Sequence, residues 1–238
     1  PTLTGKGDAG DTVTIIDTGK VVGEVVVGGD GTWTFTPEEA LSEGEHSFEV
    51  VVTDPAGNSS DSSDAFVIIV DTTPPAKPGI ESVIDDQGAV TGPVSNGGVT
   101  DDTQPTLSGK GDAGDTVTII DNGKVIGEVQ VGGDGSWTFT PEAPLSEGEH
   151  VFEVIITDPA GNSSEPSDQF VVIVDTTPPT NSGIGSIVDD QGTITGPIIN
   201  GGHTDDTKPT LTGKGDAGDT ITIIDNGKVV GEVVVGGD

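Results

Sequence analysis

The sequence predicts an all-β protein, built from tandem seven-stranded β-sandwiches that follow one another end to end. Three observations lead to this prediction: a long internal repeat, short segments in which apolar and polar residues alternate, and frequent turn residues. With 38 glycines and 16 prolines in 238 residues, the chain turns often. No segment shows the apolar period of about 3.6 residues that marks an amphipathic helix.

The internal repeat is 104 residues long. The segment PTLTGKGDAGD begins at Pro1 and again at Pro209, and its near-copy PTLSGKGDAGD begins at Pro105, midway between them. Because a repeat of about 100 residues is too long for one solenoid unit, each copy is predicted to be a self-contained domain. The chain starts and stops within a repeat, so we expect a longer array around it.

The boundaries of the domains are predicted from the motif VDTTPP, which occurs at Val70 and Val174. Two consecutive prolines fix φ and remove two amide donors, so strand pairing must stop there. With this boundary the chain contains a domain that lacks its first strand at residues 1–71, a complete domain at 76–175, and a domain that lacks its last three strands at 180–238.

Seven short strands, A to G, are predicted in the complete domain from alternation and turn signals. Asn122-Gly123 tolerates positive φ and indicates a hairpin turn between C and D. Trp137 and Phe139 are two residues apart and share one face of the predicted strand. Trp137 is predicted to lie in the core, as is its copy Trp33. Seven strands in about 100 residues are typical of an Ig-like sandwich. The predicted strands are Ile80–Ile84, Gln104–Gly109, Thr116–Ile120, Val125–Val131, Ser136–Thr140, His150–Thr157 and Gln169–Val174.

The charge excludes several classes of partner. Eight Lys and Arg against 41 Asp and Glu give a net charge of −33, which opposes binding to nucleic acid and direct contact with anionic lipid. Without cysteine, the chain has no disulfide, no thiol nucleophile and no soft metal ligand. No run of about 18 apolar residues predicts a membrane span.

The repeated motifs resemble a known class of bacterial proteins. VDTTPP stands between units, TDPAGNSS begins at Thr53 and Thr157, and WTFTPE follows a tight turn at Trp33 and Trp137. Together they are similar, over the whole chain, to the bacterial Ig-like repeats of giant biofilm-associated and type I-secreted surface adhesins. The resemblance implies long unbranched rods that project an adhesive tip from the bacterial cell surface, in an extracellular location, with Ca²⁺ at some domain junctions.

The positions of the carboxylates predict calcium binding independently of the resemblance. In a seven-stranded sandwich the A–B connection and the end of strand G lie at one end, and the F–G loop lies at the other. Crowded carboxylates repel unless a hard cation with oxygen ligands, such as Ca²⁺, lies between them. The predicted ligands are Asp175 with Asp85, Asp86, Asp101 and Asp102; Asp158, which could reach the previous linker at Asp71; and, by the repeat, Asp54, Asp189, Asp190, Asp205 and Asp206.

A structural explanation competes with this one. Aspartate is favoured in turns because its side chain bonds to its own backbone, which could account for Asp112, Asp121, Asp134 and Asp158. It would account for one acid of each Asp-Asp pair, not for both. His46 and His150 occur once per repeat and are predicted to be surface or half-buried residues.

The function predicted from these observations is a structural extender, or stalk, stiffened by Ca²⁺ at the domain junctions. An enzyme is excluded by the lack of a one-off catalytic constellation in a near-identical duplication. The alternative is an adhesion module that binds glycan, ice or a host surface, which would need a patch that breaks the repeat. Neighbouring repeats of the same chain are the expected partners, with no small-molecule substrate, and head-to-tail contact between chains through the incomplete end domains stays open.

Overall fold

The computed structural model describes residues 1–180 and 183–237, which fold into β-strands joined by turns. Residues 1–175 form one compact unit and residues 176–238 a second. The first unit contains two sandwiches, here called the first sandwich (residues 1–71) and the second sandwich (residues 76–175). Within the described residues no helix is long and apolar enough to cross a membrane.

The first sandwich is formed by six strands in two sheets. One sheet pairs β1 with β4, and the other has the order β3-β2-β5-β6. Its strands are β1 (Leu3–Lys6), β2 (Thr12–Asp17), β3 (Lys20–Val26), β4 (Thr32–Phe35), β5 (Gly44–Thr53) and β6 (Phe66–Val70).

The second sandwich contains all seven predicted strands and two short ones that the sequence pattern did not predict. Its sheets have the orders β13-β10-β7-β8 and β12-β11-β14-β15-β9. The short strand β9 pairs in parallel with β15, whereas every other pair in the sandwich is antiparallel. The strands are β7 (Ile80–Asp85), β8 (Gly92–Pro93), β9 (Gly98–Thr100), β10 (Thr106–Lys110), β11 (Thr116–Asp121), β12 (Lys124–Gln130), β13 (Ser136–Phe139), β14 (Gly148–Thr157) and β15 (Phe170–Val174).

The second unit repeats the beginning of the second sandwich. Its sheets have the orders β17-β16-β18 and β19-β20. Among the residues described there, none forms a counterpart of β13, β14 or β15. The strands are β16 (Ile184–Asp189), β17 (Gly196–Pro197), β18 (Thr210–Gly213), β19 (Thr220–Asp225) and β20 (Lys228–Val234).

The core of the second sandwich follows from the alternation of each strand. Successive side chains of a strand point to opposite faces, so Val117 and Ile119 of β11 are buried together while Thr118 between them is only partly buried. Phe152 of the neighbouring strand β14 belongs to the same core cluster and is fully buried. Trp137 is 2% exposed and its copy Trp33 is 9% exposed, so the prediction that both tryptophans lie in the core is correct.

The two strand histidines are buried, and the prediction that they are surface or half-buried residues is wrong. His150 Nδ1 lies 2.7 Å from Asp121 Oδ2, and its Nε2 lies 2.9 Å from the Ser146 carbonyl oxygen. The pair ties the turn after β11 to the loop before β14. His150 has the same parity along β14 as the buried Phe152, which is the signal that could have revealed it.

The same pair in the first sandwich predicts a pH dependence. A hydrogen bond to Asp17, together with one to the Ser42 carbonyl, raises the pKa of His46 above its ordinary value. Its contribution to stability is therefore complete below the unfolded-state pKa and is lost as pH rises through the folded-state pKa. We expect a proton NMR titration of the His46 ring to give a pKa above about 6.5 and Asp17→Asn to lower it. A pKa of His46 below the ordinary value in the unaltered chain would show that the hydrogen bond with Asp17 does not favour the protonated ring.

Candidate functional site at the domain junction

Three of the predicted metal ligands meet around one residue that the sequence pattern did not single out. Thr100, at the end of β9, is 3% exposed and donates from its hydroxyl to Asp85 Oδ2 at 2.6 Å. Its carbonyl oxygen accepts from the Asp175 amide at 2.9 Å, and its hydroxyl oxygen accepts from the Asp102 amide at 3.0 Å. The A–B connection and the end of strand G therefore lie at the same end of the sandwich, as the topology predicts.

The two Asp-Asp pairs divide into an inner and an outer carboxylate. Asp85 and Asp102 are 6% and 1% exposed and accept from backbone amides, Asp85 from Gln87 at 2.9 Å and Asp102 from Gln104 at 2.8 Å. Turn chemistry accounts for these two acids. Asp86 and Asp101 are exposed, so they are the members of each pair whose charges face solvent.

The same arrangement recurs in the second unit. The Thr204 hydroxyl donates to Asp189 Oδ2 at 2.7 Å, and Asp189 and Asp206 are each 6% exposed. Their outer neighbours Asp190 and Asp205 are exposed. The repeat of four acids and one threonine shows that the motif DDQG and the segment TDDT fold as one structure.

Asp158 lies in the loop after β14, where its contacts are those of a turn residue. Asp158 Oδ1 accepts from the Asn162 amide at 2.9 Å, and Oδ2 accepts from the Asn162 side chain at 2.8 Å. Burial opposes ionisation, but these hydrogen bonds hold the pKa of Asp158 below its ordinary value. Asp54 makes the equivalent contacts with Asn58, which lower its pKa.

The loop of Asp158 does contact the preceding linker, but through a different side chain. Asn162 Nδ2 donates to the Asp71 carbonyl oxygen at 3.0 Å, and so joins the second sandwich to the end of the first. Asp71 Oδ1 accepts from the Thr73 amide at 3.0 Å. The structure shows this contact for Asn162, whereas the prediction named Asp158.

Asp115 is the acid at this junction that sequence reasoning did not select. It is the last residue of the turn GDAGD and is 4% exposed. Burial, and then the negative charges of Asp112, Asp158 and Asp71, raise its pKa above the ordinary value. No hydrogen bond from residues 1–180 and 183–237 offsets this rise in its pKa. Asp115 is therefore a nearly buried acid that its neighbours repel.

All the side-chain atoms at this junction that could bind a metal ion are oxygen atoms. No three Asp, Glu or His side chains of the described residues converge closely enough to form a metal-binding group. Asp115 and the three acids around it thus interact through their charges rather than through a shared centre.

A glutamate of the first sandwich fixes the start of the linker, and the sequence pattern gave no sign of it. Both carboxylate oxygens of Glu43 accept from the Thr72 amide, at 3.0 and 3.2 Å, and the Thr72 hydroxyl donates to Glu43 as well. Glu43 lies in the loop before β5 and holds the chain just before its two prolines. The linker is anchored to the first sandwich by Glu43 and to the second by Asn162.

Replacing Glu43 with alanine is expected to free the linker at Thr72. The Thr72 amide should exchange its hydrogen at least about tenfold faster, because it loses its acceptor. Hydrogen exchange followed by NMR measures this directly, and Glu38→Ala, in the same loop, serves as the control. Equal exchange rates in both variants would show that Glu43 does not hold the linker.

The two sandwiches of the first unit correspond to two matches with one known family. The sequence profile of the bacterial Ig-like domain family matches residues 1–72 and 78–176. The chain belongs to this family. Both the resemblance predicted from the motifs and the predicted all-β sandwich fold are confirmed by this match.

Solved structures similar to this bacterial Ig-like chain come from several kinds of protein. The BSP domain of a biofilm-associated protein is 25% identical, with a TM-score of 0.30 over 74% of this chain and 28% of its own. A tetra-tandem repeat from the extending region of a large adhesion protein is 19% identical, with a TM-score of 0.35 over 90% of this chain and 58% of its own. Fibronectin(III)-like modules of Clostridium thermocellum CbhA are 16% identical, with a TM-score of 0.40 over 73% and 85%. No curated protein sequence matches the chain.

Proposed function

We propose that this chain is an extender segment of a bacterial cell-surface adhesin, in which Ca²⁺ at the junctions holds successive Ig-like domains in a fixed relation. The proposal places the chain outside the cell, with the neighbouring domains of the same chain as its main partners. The observation that supports it best is Asp115, a nearly buried carboxylate at a junction where three other acids repel it.

The charge at this junction is unbalanced in a way that a cation would correct. Two carboxylates about 4 Å apart repel by roughly 1 kcal/mol in water and by several times more where solvent is excluded. The charges of Asp112, Asp158 and Asp71 repel the carboxylate of Asp115, and no hydrogen bond from the described residues offsets their effect on its pKa. A divalent cation would turn this repulsion into attraction.

The donor set suits calcium better than other metals. Carboxylates of Asp112, Asp115 and Asp158 and the oxygens of Asp71 are hard ligands, and Ca²⁺ accepts about six to eight of them in irregular geometry. The chain has no cysteine for a soft metal. Since these side chains do not converge into one group, binding would draw them together and so tighten the junction. At the opposite end of the sandwich, Asp175, which is the copy of Asp71, would bind calcium together with the exposed Asp86 and Asp101.

The repeat itself supports an extender role over the alternative of a ligand-binding adhesion module. The copies differ mainly by conservative changes, such as Val125-Ile126 in one and Val229-Val230 in the next. A binding site for a glycan, ice or a host surface would need a feature that one copy has and the other lacks. In an extender the length of the array grows with the number of copies, so similarity between copies is what the function requires.

Small-angle scattering of the 238-residue chain tests the proposal. We expect the profile at about 5 mM calcium to describe a stiffer particle than the profile in excess chelator. Magnesium at the same concentration serves as the control, because Mg²⁺ demands a regular octahedron and loses its water reluctantly. Identical profiles with calcium and with chelator would show that Glu43, Asn162 and the prolines set the junction alone.

A further inference from the structure

The sequence contains four Asn-Gly pairs, and their chemistry has no part in the proposed function. They begin at Asn96, Asn122, Asn200 and Asn226. Asparagine is a thermolabile residue, and a following glycine leaves the attacking amide uncrowded because it has no Cβ. All four asparagines are exposed. Exposure to water therefore does not distinguish the four asparagines, and any difference in their reactivity must come from their hydrogen bonds.

Asn96 closes the parallel pairing between β9 and β15. Its Oδ1 accepts from the Val171 amide at 2.8 Å, and its Nδ2 donates to the Gln169 carbonyl oxygen at 3.3 Å. The Gly97 amide donates to the Val171 carbonyl oxygen at 2.8 Å. Both the side-chain amide and the backbone amide that would attack it are thus bound to β15.

Asn200 is the copy of Asn96 without this partner. It occupies the same turn, since the Gly202 amide donates to Ile199 at 2.8 Å just as the Gly98 amide donates to Ser95 at 2.7 Å. In the described part of the second unit, however, no strand corresponds to β15, and neither the Asn200 side chain nor the Gly201 amide has a hydrogen-bond partner. Among the described residues, the Asn-Gly pair at Asn96 is therefore hydrogen-bonded to β15 and the pair at Asn200 is not.

We propose that Asn96 is a site of spontaneous deamidation that is gated by the pairing of β9 with β15. The Gly97 nitrogen attacks Cγ of Asn96, a C–N bond forms, and the Cγ–Nδ2 bond breaks. Ammonia leaves with the proton from the Gly97 nitrogen, and a cyclic imide remains. Water then adds to either imide carbonyl and gives aspartate or isoaspartate, so the chain gains one negative charge without any oxidant or cofactor.

The gate follows from the bonds that must break first. While the Gly97 amide donates to Val171 and the Asn96 side chain holds Val171 and Gln169, the nitrogen cannot reach Cγ. The rate at Asn96 is then the rate of the unprotected pair multiplied by the fraction of time that β9 is open. Asn200 reacts without this factor.

The reaction weakens the pairing of β9 with β15. Aspartate at position 96 has no donor for the Gln169 carbonyl oxygen, and its carboxylate would lie against that oxygen at a distance now spanned by a hydrogen bond. Isoaspartate lengthens the backbone between Asn96 and Gly97, which shifts the register of β9 against β15. A domain that has opened often is therefore marked chemically and closes less well.

Local sequence alone favours the opposite order of rates. Asn96 follows Ser95, whereas Asn200 follows the β-branched Ile199, which restricts the neighbouring backbone. If sequence decided the rates, Asn96 would react at least as fast as Asn200. The structure makes Asn96 the slower site, so the two explanations are distinguishable.

The test is peptide mapping by mass spectrometry of the full chain after incubation at mildly alkaline pH. We expect Asn200 to be converted at least about tenfold faster than Asn96 in the folded chain, and the difference to vanish in denaturant. At intermediate denaturant concentrations the deamidation rate of Asn96 should rise in parallel with the hydrogen-exchange rate of the Gly97 amide. Equal rates at Asn96 and Asn200 in the folded chain would overturn the proposal.

Val99→Pro supplies the matched variant, because Val99 lies in β9, its side chain is 62% exposed, and proline removes an amide donor. We expect it to accelerate Asn96 and to leave Asn122 of the same sandwich unchanged. Val99→His is the control, since His203 stands at this position in the copy. Acceleration by the histidine equal to that by the proline would assign the effect to the neighbouring side chain and refute the gate. If Val99→Pro also accelerates deamidation of Asn122, the substitution has opened the whole sandwich. The proposal is then judged by whether the deamidation rate of Asn96 follows the hydrogen-exchange rate of the Gly97 amide in the unaltered chain.

Discussion

Replacing Trp137 with alanine is expected to lower the free energy of unfolding of the second sandwich by about 3–5 kcal/mol. The indole is 2% exposed and packs on Gly109, where an added Cβ would lie 2.6 Å from its ring. Its Nε1 donates to the Lys110 carbonyl oxygen at 3.3 Å. Alanine leaves a cavity between the two sheets, and no neighbour can fill it without moving a strand.

Hydrogen exchange with mass spectrometry measures this loss domain by domain, which a single unfolding curve of a multi-domain chain does not. Peptides from β11 and β14 should lose protection, while peptides from β2 and β5 keep theirs. Trp33→Ala is the matched control, with the reverse pattern. Unchanged protection of β11 in Trp137→Ala would contradict the central place of this side chain in the core.

Replacing Asp115 with asparagine is expected to remove most of the response of the junction to calcium. In the proposed site Asp115 is the most buried ligand, so its loss should weaken calcium binding at least about tenfold. Without calcium the change should stabilise the first unit at neutral pH. The pKa of Asp115 is raised by burial and by neighbouring acids, so its protonated form favours folding and stability falls as pH rises through the folded-state pKa. Asparagine mimics the protonated form at every pH.

Calcium titration calorimetry and chelator-dependent scattering check this prediction on the full chain. Asp134→Asn is the control: Asp134 lies in a neighbouring turn, and hydrogen bonds from Ser136 lower its pKa rather than raise it. Calcium binding that is equally strong in the unaltered chain and in Asp115→Asn would remove Asp115 from the proposed site. An equal loss in Asp134→Asn would point to the total charge instead of to the junction.

The strands of the fold were predictable from sequence because alternation is a local signal. Val117 and Ile119 indicate their strand without reference to any other part of the chain. The short strands β8 and β9 gave no such signal, since Gly92-Pro93 and Gly98–Thr100 are too brief to alternate. Their pairing depends on partners far away in sequence, above all on the parallel contact of β9 with β15.

The site was predictable in its composition but less so in its detail. Topology brought Asp85, Asp102 and Asp175 to one end, as expected, yet the sequence could not say which acid of each pair bonds to the backbone. A turn aspartate and a metal ligand are the same residue type, and only the fold separates them. Asp115 was missed because two of the three acids that repel it, Asp158 and Asp71, are far from it in sequence, and only the fold brings them near.

The pairing of β15 on both edges also determines how the second sandwich resists tension. The linker that follows leaves directly from Val174, the last residue of β15, so a pull on the chain acts along that strand. Because β15 is bonded to β14 on one side and to β9 on the other, a longitudinal load acts on both rows of hydrogen bonds at once, in shear, instead of opening one row bond by bond from its end. Resistance to such a load is set by the rate of unfolding rather than by equilibrium stability.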